Sequence, residues 1–194
     1  MSTALLRLLF ITLVLLSPTV VAMTVADPNS DMRFGKFVIP SSHIFYRTKL
    51  SVAFVNLRPI VPGHVLIMPE RIVAKMEDLS EDEYLDVWRS VRKVQAILKD
   101  HHQATAFNVA VQDGKAAGQS VPHVHVHVLP RKGGDFERND DVYEELDQWA
   151  PRTDIVKERT AIEVPDDKDR VDRTSEMMAE EAETYRSLLK LGKL

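Results

Sequence analysis

The stretch His123-Val124-His125-Val126-His127-Val128 constrains this chain more than any other. Strict alternation belongs to extended chain, in which neighbours point to opposite faces and same-face side chains stand about 6.6 Å apart. All three histidines therefore share one face of a strand and all three valines the other. The valine face belongs to a core. The histidine face must be wet, ligand-bound or metal-bound, because three unpartnered imidazoles are costly to bury. Packing alone asks for apolar groups at these positions, so a merely decorated strand explains the pattern poorly.

The rest of the chain supplies a sheet around that strand. Phe34 to Ile39 and Ile44 to Tyr46 are short apolar pieces, and Ser51 to Asn56 is rich in strand formers. Pro62-Gly63 is turn chemistry, so His64 to Met68 reads as the partner of the preceding strand. Ser80-Glu81-Asp82-Glu83 is a capping box that opens a helix. Tyr84, Val87, Trp88, Val91, Val94 and Leu98 give that helix one apolar stripe. Ala106 to Gln112 and Val121 to Leu129 read as two further strands, the last ended by Pro130. Ser175 to Leu191 is a second amphipathic helix, with Met178, Ala182, Tyr185, Leu188 and Leu189 on its apolar side. Strands and helices alternate only partly, which favours an α+β fold, an antiparallel sheet with helices on one side.

Four segments follow. Residues 1–31 are a leader and linker: Arg7, the apolar run Leu8 to Leu16, and Val20-Val21-Ala22 match the plan of a signal peptide. Residues 32–150 form the folded domain, 151–174 a charged mobile loop, and 175–194 the C-terminal helix. The cytoplasm is the expected location, with a secretory or organellar one kept open by the leader. With 194 residues and no cysteine, the chain needs no disulfide and offers no thiolate metal site. A net charge of −4 gives no overall pull toward nucleic acid polymers or anionic membranes, and neither is expected as a stable partner.

Two chemistries suit the histidine face. His-x-His on a strand is a legitimate zinc pair, with Asp113 or Asp135 as the nearest further ligands. Alternatively a neutral imidazole is itself the nucleophile; its ordinary pKa near 6.5 leaves it mostly neutral at pH 7. Its neighbours could then bind phosphate oxygens or assist a leaving group. The small-residue loop Gly118-Gln119-Ser120-Val121 stands just before the triad and offers amides, a carboxamide and a hydroxyl to a phosphate.

The motif His-φ-His-φ-His-φ-φ resembles the signature of the histidine triad superfamily of nucleotide hydrolases and transferases. Asn56 to Leu66, Gln112-Asp113-Gly114, Ala117-Gly118-Gln119, His123 to Lys132, Gly134-Asp135-Phe136, Arg138-Asn139-Asp140 and Tyr143 to Leu146 are similar to its fragile histidine triad branch, in order and at similar spacings. The resemblance runs from Met32 to Leu146, with the final helix a looser match. It implies a histidine-triad-like fold, with sheets joined across a homodimer. It also implies hydrolysis of diadenosine triphosphate to AMP and ADP through a covalent histidine–AMP intermediate.

By the same resemblance His125 is the nucleophile, His127 holds phosphates and assists the leaving group, and His123 orients the site, with His64 behind it. Asn56 binds ribose, Gln112 and the Gly118 to Val121 loop hold the phosphate chain, and Phe34 and Phe54 line the adenine pocket. Lys36 takes the place of an early family histidine and could reach a phosphate. Mg2+ or Mn2+ accompanies the nucleotide, with no tightly bound protein metal expected. Tyr143 matches a phosphorylatable tyrosine. Each residue also has a plainer reading. Asn56 could cap a strand end, and His64 and Gln112 could serve turns. Phe34 and Phe54 could be core, and Tyr143 a surface residue. Adenylyl sulfate and nucleoside phosphoramidates present the same phosphorus with other leaving groups, and a nucleotide-bound dimer could itself be a signal.

Overall fold

The computed structural model describes residues 30–147 and 172–191. The expected leader, residues 148–150 of the domain and nearly all of the 151–174 loop lie outside those residues. Among the described residues no helix is long and apolar enough to cross a membrane.

A short hairpin, β1 (Met32–Phe34) and β2 (Phe37–Ile39), precedes the main sheet. That sheet contains β3 (Ile44–Arg47), β4 (Ser51–Val55), β5 (Val65–Pro69), β6 (Ala106–Val111) and β7 (Val126–Arg131). The order is β3-β4-β5-β7-β6, antiparallel throughout. Helix α1 (Glu81–His102) joins β5 to β6, and α2 (Asp141–Asp147) and α3 (Ser175–Lys190) follow β7. The architecture is the expected α+β.

Alternation divides the strands between two cores. Ala53, Val55, Val65, Ile67, Val126 and Val128 face α1 and α3, where Val87, Val91, Val94, Leu98, Met178, Ala182 and Tyr185 cover them. Val52, Phe54, Leu66 and Met68 face the other way, toward Phe34 and Val121. The β1–β2 hairpin thus closes the face that carries His127. The capping box of α1 is complete: Ser80 Oγ accepts from the Glu83 amide at 3.2 Å, and the Glu83 carboxylate accepts from the Ser80 amide at 2.8 Å.

Four sequence expectations need correction. The last strand begins at Val126, not Val121, and runs through Pro130 to Arg131. Pairing with β5 stops at Val128, so the proline lies where β7 has a neighbour on one side only. Tyr84 is exposed, and its ring meets only Trp88 among the aromatic rings described. Helices do not all lie on one side. Val142 and Leu146 of α2 pack with Leu129, which alternation puts on the histidine face. That face, finally, is not wet: His123, His125 and His127 are each at most 1% exposed.

Candidate active site

Two of the three histidines sit in the run-in to β7 and only His127 lies within it, paired with Leu66 of β5. His64 immediately precedes β5 and Asn56 immediately follows β4, so the β4–β5 hairpin brings both to the same end of the sheet. Phe34 of β1 covers the cluster, its ring 4.9 Å from that of His125 and nearly perpendicular to it.

Hydrogen bonds make the histidines chemically unequal. The Arg58 amide donates to Asn56 Oδ1 at 3.2 Å, which orients the carboxamide and turns Nδ2 toward His64 Nδ1 at 3.1 Å. The Ile60 amide donates to the same Nδ1 at 3.2 Å. His64 Nδ1 is therefore an acceptor, and the ring's proton is on Nε2. That Nε2–H donates to His127 Nδ1 at 3.0 Å, so neutral His127 carries its own proton on Nε2. His125 is the reverse. Its Nδ1 stands 2.7 Å from the His123 carbonyl oxygen and must donate, which leaves the lone pair on Nε2. His123 accepts from the Gly35 amide at Nδ1 (3.2 Å) and donates from Nε2 to the Pro69 carbonyl (2.9 Å).

The surroundings keep these rings uncharged. Burial pushes His125 down to about 4, opposed by the bond to the His123 carbonyl. Burial lowers His127 well below its ordinary value, with the neighbouring His125 and His64 acting in the same direction. His123 is lowered too, again chiefly by burial. At neutral pH the cluster can offer one unprotonated nitrogen as nucleophile, on His125, beside one N–H donor, on His127.

An apolar cavity adjoins the cluster. Phe34, Phe37, Phe54, Leu57, Leu66 and Met178 line it, with Asn56 and His43 as its polar groups. It brings together Phe34, Phe54 and Asn56. His64 lies behind His127 rather than His123, because the β5–β7 register sets Leu66 opposite His127. His123 does orient His125, but through its main-chain carbonyl.

The phosphate-loop residues divide. The amides of Ala117, Gly118 and Gln119 are engaged by the Gly114 and Lys115 carbonyls. Gln119 Nε2 donates to the Ala74 carbonyl at 2.8 Å and Gln112 Nε2 to that of Leu146 at 3.0 Å. The buried Ser120 hydroxyl and Gln112 Oε1 have no hydrogen-bond partner among the described residues. Val121 contributes its side chain to the core beside Phe34. Gly118 does need to be glycine: its φ is +86°, and a Cβ would stand 2.7 Å from Gln112 Nε2. Lys36 is exposed, with its ammonium 5.3 Å from the centre of the Phe37 ring. Tyr143 is exposed on α2. Asp113 Oδ1 accepts from the Met76 amide and Asp135 pairs with Arg131, so neither carboxylate joins the histidines. Among the described residues no group of three His, Cys, Asp or Glu side chains could hold a metal ion.

Three participants escape a sequence reading. Gly35 holds His123 through its amide, with a φ of +56° and no room for a Cβ beside Val121. Its only signal is a lone glycine between two short apolar pieces. His43 and Met178 line the cavity as well; helical spacing puts Met178 on an apolar face, but nothing local marks either residue as cavity-lining.

The HIT domain family matches residues 37–134. An Arabidopsis thaliana protein named bifunctional bis(5'-adenosyl)-triphosphatase/adenylylsulfatase FHIT is 48% identical, over 82% of this chain and 84% of its own length. A Schizosaccharomyces pombe protein named asymmetrical bis(5'-nucleosyl)-tetraphosphatase is 46% identical, over 77% of this chain and 90% of its own. The crystal structure of the C. elegans NitFhit protein superposes with a TM-score of 0.63 at 40% identity; it covers 81% of this chain, which spans only 30% of that longer one. The chain belongs to the HIT domain family, within the branch of its Fhit relatives.

Proposed function

We propose that this protein hydrolyses diadenosine triphosphate to AMP and ADP through a covalent intermediate on His125. The observation that carries the reading is the pair of opposed tautomers, a lone pair on His125 Nε2 beside a proton on His127 Nε2. His125 Nε2 attacks the phosphorus bonded to adenosine, forming an N–P bond as the P–O bond to ADP breaks. His127 Nε2–H hydrogen-bonds the departing oxygen. Water then attacks the phosphoramidate, and AMP leaves with His125 restored. Division into two displacements is covalent catalysis, and it needs a nucleophile that is unprotonated at working pH, as burial keeps His125.

The remaining roles follow position. The apolar cavity takes the adenine between Phe34 and Phe54, and Asn56, between cavity and His64, takes the ribose hydroxyls. Ser120 and Gln112 reach the phosphates, assisted by the loop at Gly118, Gln119 and Val121, and by Lys36. Mg2+ or Mn2+ enters with the nucleotide, held by its phosphate oxygens. Two copies join through β6, one of the sheet's two edge strands, whose Val109 is 36% exposed. The Arabidopsis relative's name carries a second activity, and adenylyl sulfate meets the same nucleophile with sulfate as leaving group.

The test is intact-protein mass after brief mixing with diadenosine triphosphate and an acid quench. Wild type should gain the mass of one AMP and His125→Asn none. Hydrolysis by His125→Asn at a wild-type rate would end the proposal.

A further inference from the structure

Pairing of β4 with β5 ends at Val55, opposite Val65, so the main chain of Asn56 leaves the sheet where its side chain is needed. Arg173 supplies the missing restraint from far along the chain. Its Nε and Nη2 both donate to the Asn56 carbonyl, at 3.0 and 2.5 Å, and its own amide donates to the Leu57 carbonyl at 3.2 Å. The guanidinium is held in turn. Nη1 donates to Glu181 Oε2 at 2.5 Å, and Glu181 Oε1 accepts from the buried Tyr185 hydroxyl at 2.7 Å. His102 Nε2 stands 2.7 Å from that same hydroxyl. Arg173 and Glu181 side chains are only 15% and 18% exposed, so this is not a loose surface ion pair.

We propose that Arg173 is a positioning residue for His127. It fixes the Asn56 main chain, the Asn56 carboxamide donates to His64 Nδ1, and His64 then places the proton of His127 on Nε2. Arg173 touches no reacting atom and acts through three residues in series. Only the planar fork of an arginine can give two N–H groups to one carbonyl and a third to a carboxylate. The C-terminal helix thereby becomes part of the leaving-group machinery as well as of the core. The inference rests on the reading of His125 as nucleophile and His127 as leaving-group partner.

The test compares full-length wild type, Arg173→Gln and Glu181→Gln on two substrates with the same attacked phosphorus. Diadenosine triphosphate has a leaving oxygen that profits from a hydrogen bond. The p-nitrophenyl ester of AMP does not, because p-nitrophenolate departs unaided. Arg173→Gln should lower kcat on the dinucleotide by about 10- to 100-fold with little change in KM, and spare the ester. Glu181→Gln should show the same asymmetry, more weakly, and serves if Arg173→Gln does not fold. Equal losses on both substrates, or unchanged kcat on the dinucleotide, would overturn the proposal. Ring 1H–15N spectra read the positioning without substrate. Wild-type His64 and His127 should both be protonated at Nε2, and Arg173→Gln should mix the tautomers. Identical spectra would overturn the positioning role, whereas mixed tautomers in the variant, with a wild type that itself turns over neither substrate, would uphold it and refute only the assigned reaction.

Discussion

Acidification should unfold this protein through its own site. In the folded chain burial holds His125 at about 4 and His127 well below its ordinary value, whereas in the unfolded chain both titrate near 6.5. The unfolded state therefore binds protons that the native state refuses. The stability gained by keeping these rings neutral is complete above about pH 6.5 and is lost as pH falls toward the folded values. The difference between 6.5 and about 4 on His125 corresponds to roughly 3 kcal/mol, lost by about pH 4. Between pH 6.5 and 5 His125 alone removes roughly 2 kcal/mol and His127 adds to the loss, against a total of about 5–15 kcal/mol for an ordinary domain. His123, His43 and His102 are also lowered by burial and act in the same direction. Urea titrations followed by helix signal at pH 7.5, 6.5, 5.8 and 5 should show unfolding free energy falling toward the acid end, by about 1 kcal/mol per unit from His125 and by more with the other lowered histidines. This window lies above the titration of most carboxylates, so histidines dominate the slope. In His125→Asn the slope should shrink by about 1 kcal/mol per unit. A midpoint unchanged from pH 7.5 to 5, or a slope untouched by that substitution, would refute the burial argument.

Two further predictions concern the residues behind the triad. His64→Leu removes the donor to His127 Nδ1 and should lower kcat on diadenosine triphosphate by roughly 10- to 100-fold, while His64→Gln, which keeps a carboxamide N–H near that place, should lose less; equal losses in steady-state kinetics would refute the tautomer chain. Gly35→Ala places a methyl 2.7 Å from Val121 Cγ1 at a φ of +56°, and should cost about 2–3 kcal/mol in urea titrations. It should also loosen His123, whose Nδ1 the Gly35 amide holds, so wild-type stability and activity together would contradict the hairpin's part in the site.

What could be read from the residues alone was whatever repeats at a local period. The capping box of α1 is such a case, since Ser80 and Glu83 meet across a single turn. So is the division of valines from histidines, since Val126 and Val128 do enter the helix-covered core and His127 faces away. The limits appear where a contact is set by register or by a distant segment. Nothing local places His64 behind His127 rather than His123; that follows from Leu66 lying opposite His127 across the β5–β7 pair. Val142 and Leu146 are four apart and bury one side of α2, yet the acidic residues around them read as an exposed stretch. Arg173 stands in a charged segment with no periodicity, and its partner Asn56 is 117 residues away.

The deepest gap is chemical. Three histidines in alternation are equivalent as letters, and only resemblance singled out the middle one as nucleophile. In the folded chain they become unequal through ordinary main-chain groups: the His123 carbonyl takes the Nδ1 proton of His125, the Ile60 amide turns the His64 ring, and the Gly35 amide turns His123. Burial then forbids the charged form, and with it the state in which the tautomers would not matter. A triad of this kind therefore depends less on its three imidazoles than on the backbone around them. Substitutions that leave every histidine in place but shift Asn56, Ile60 or Gly35 should damage leaving-group assistance or nucleophilicity selectively, according to which ring they turn.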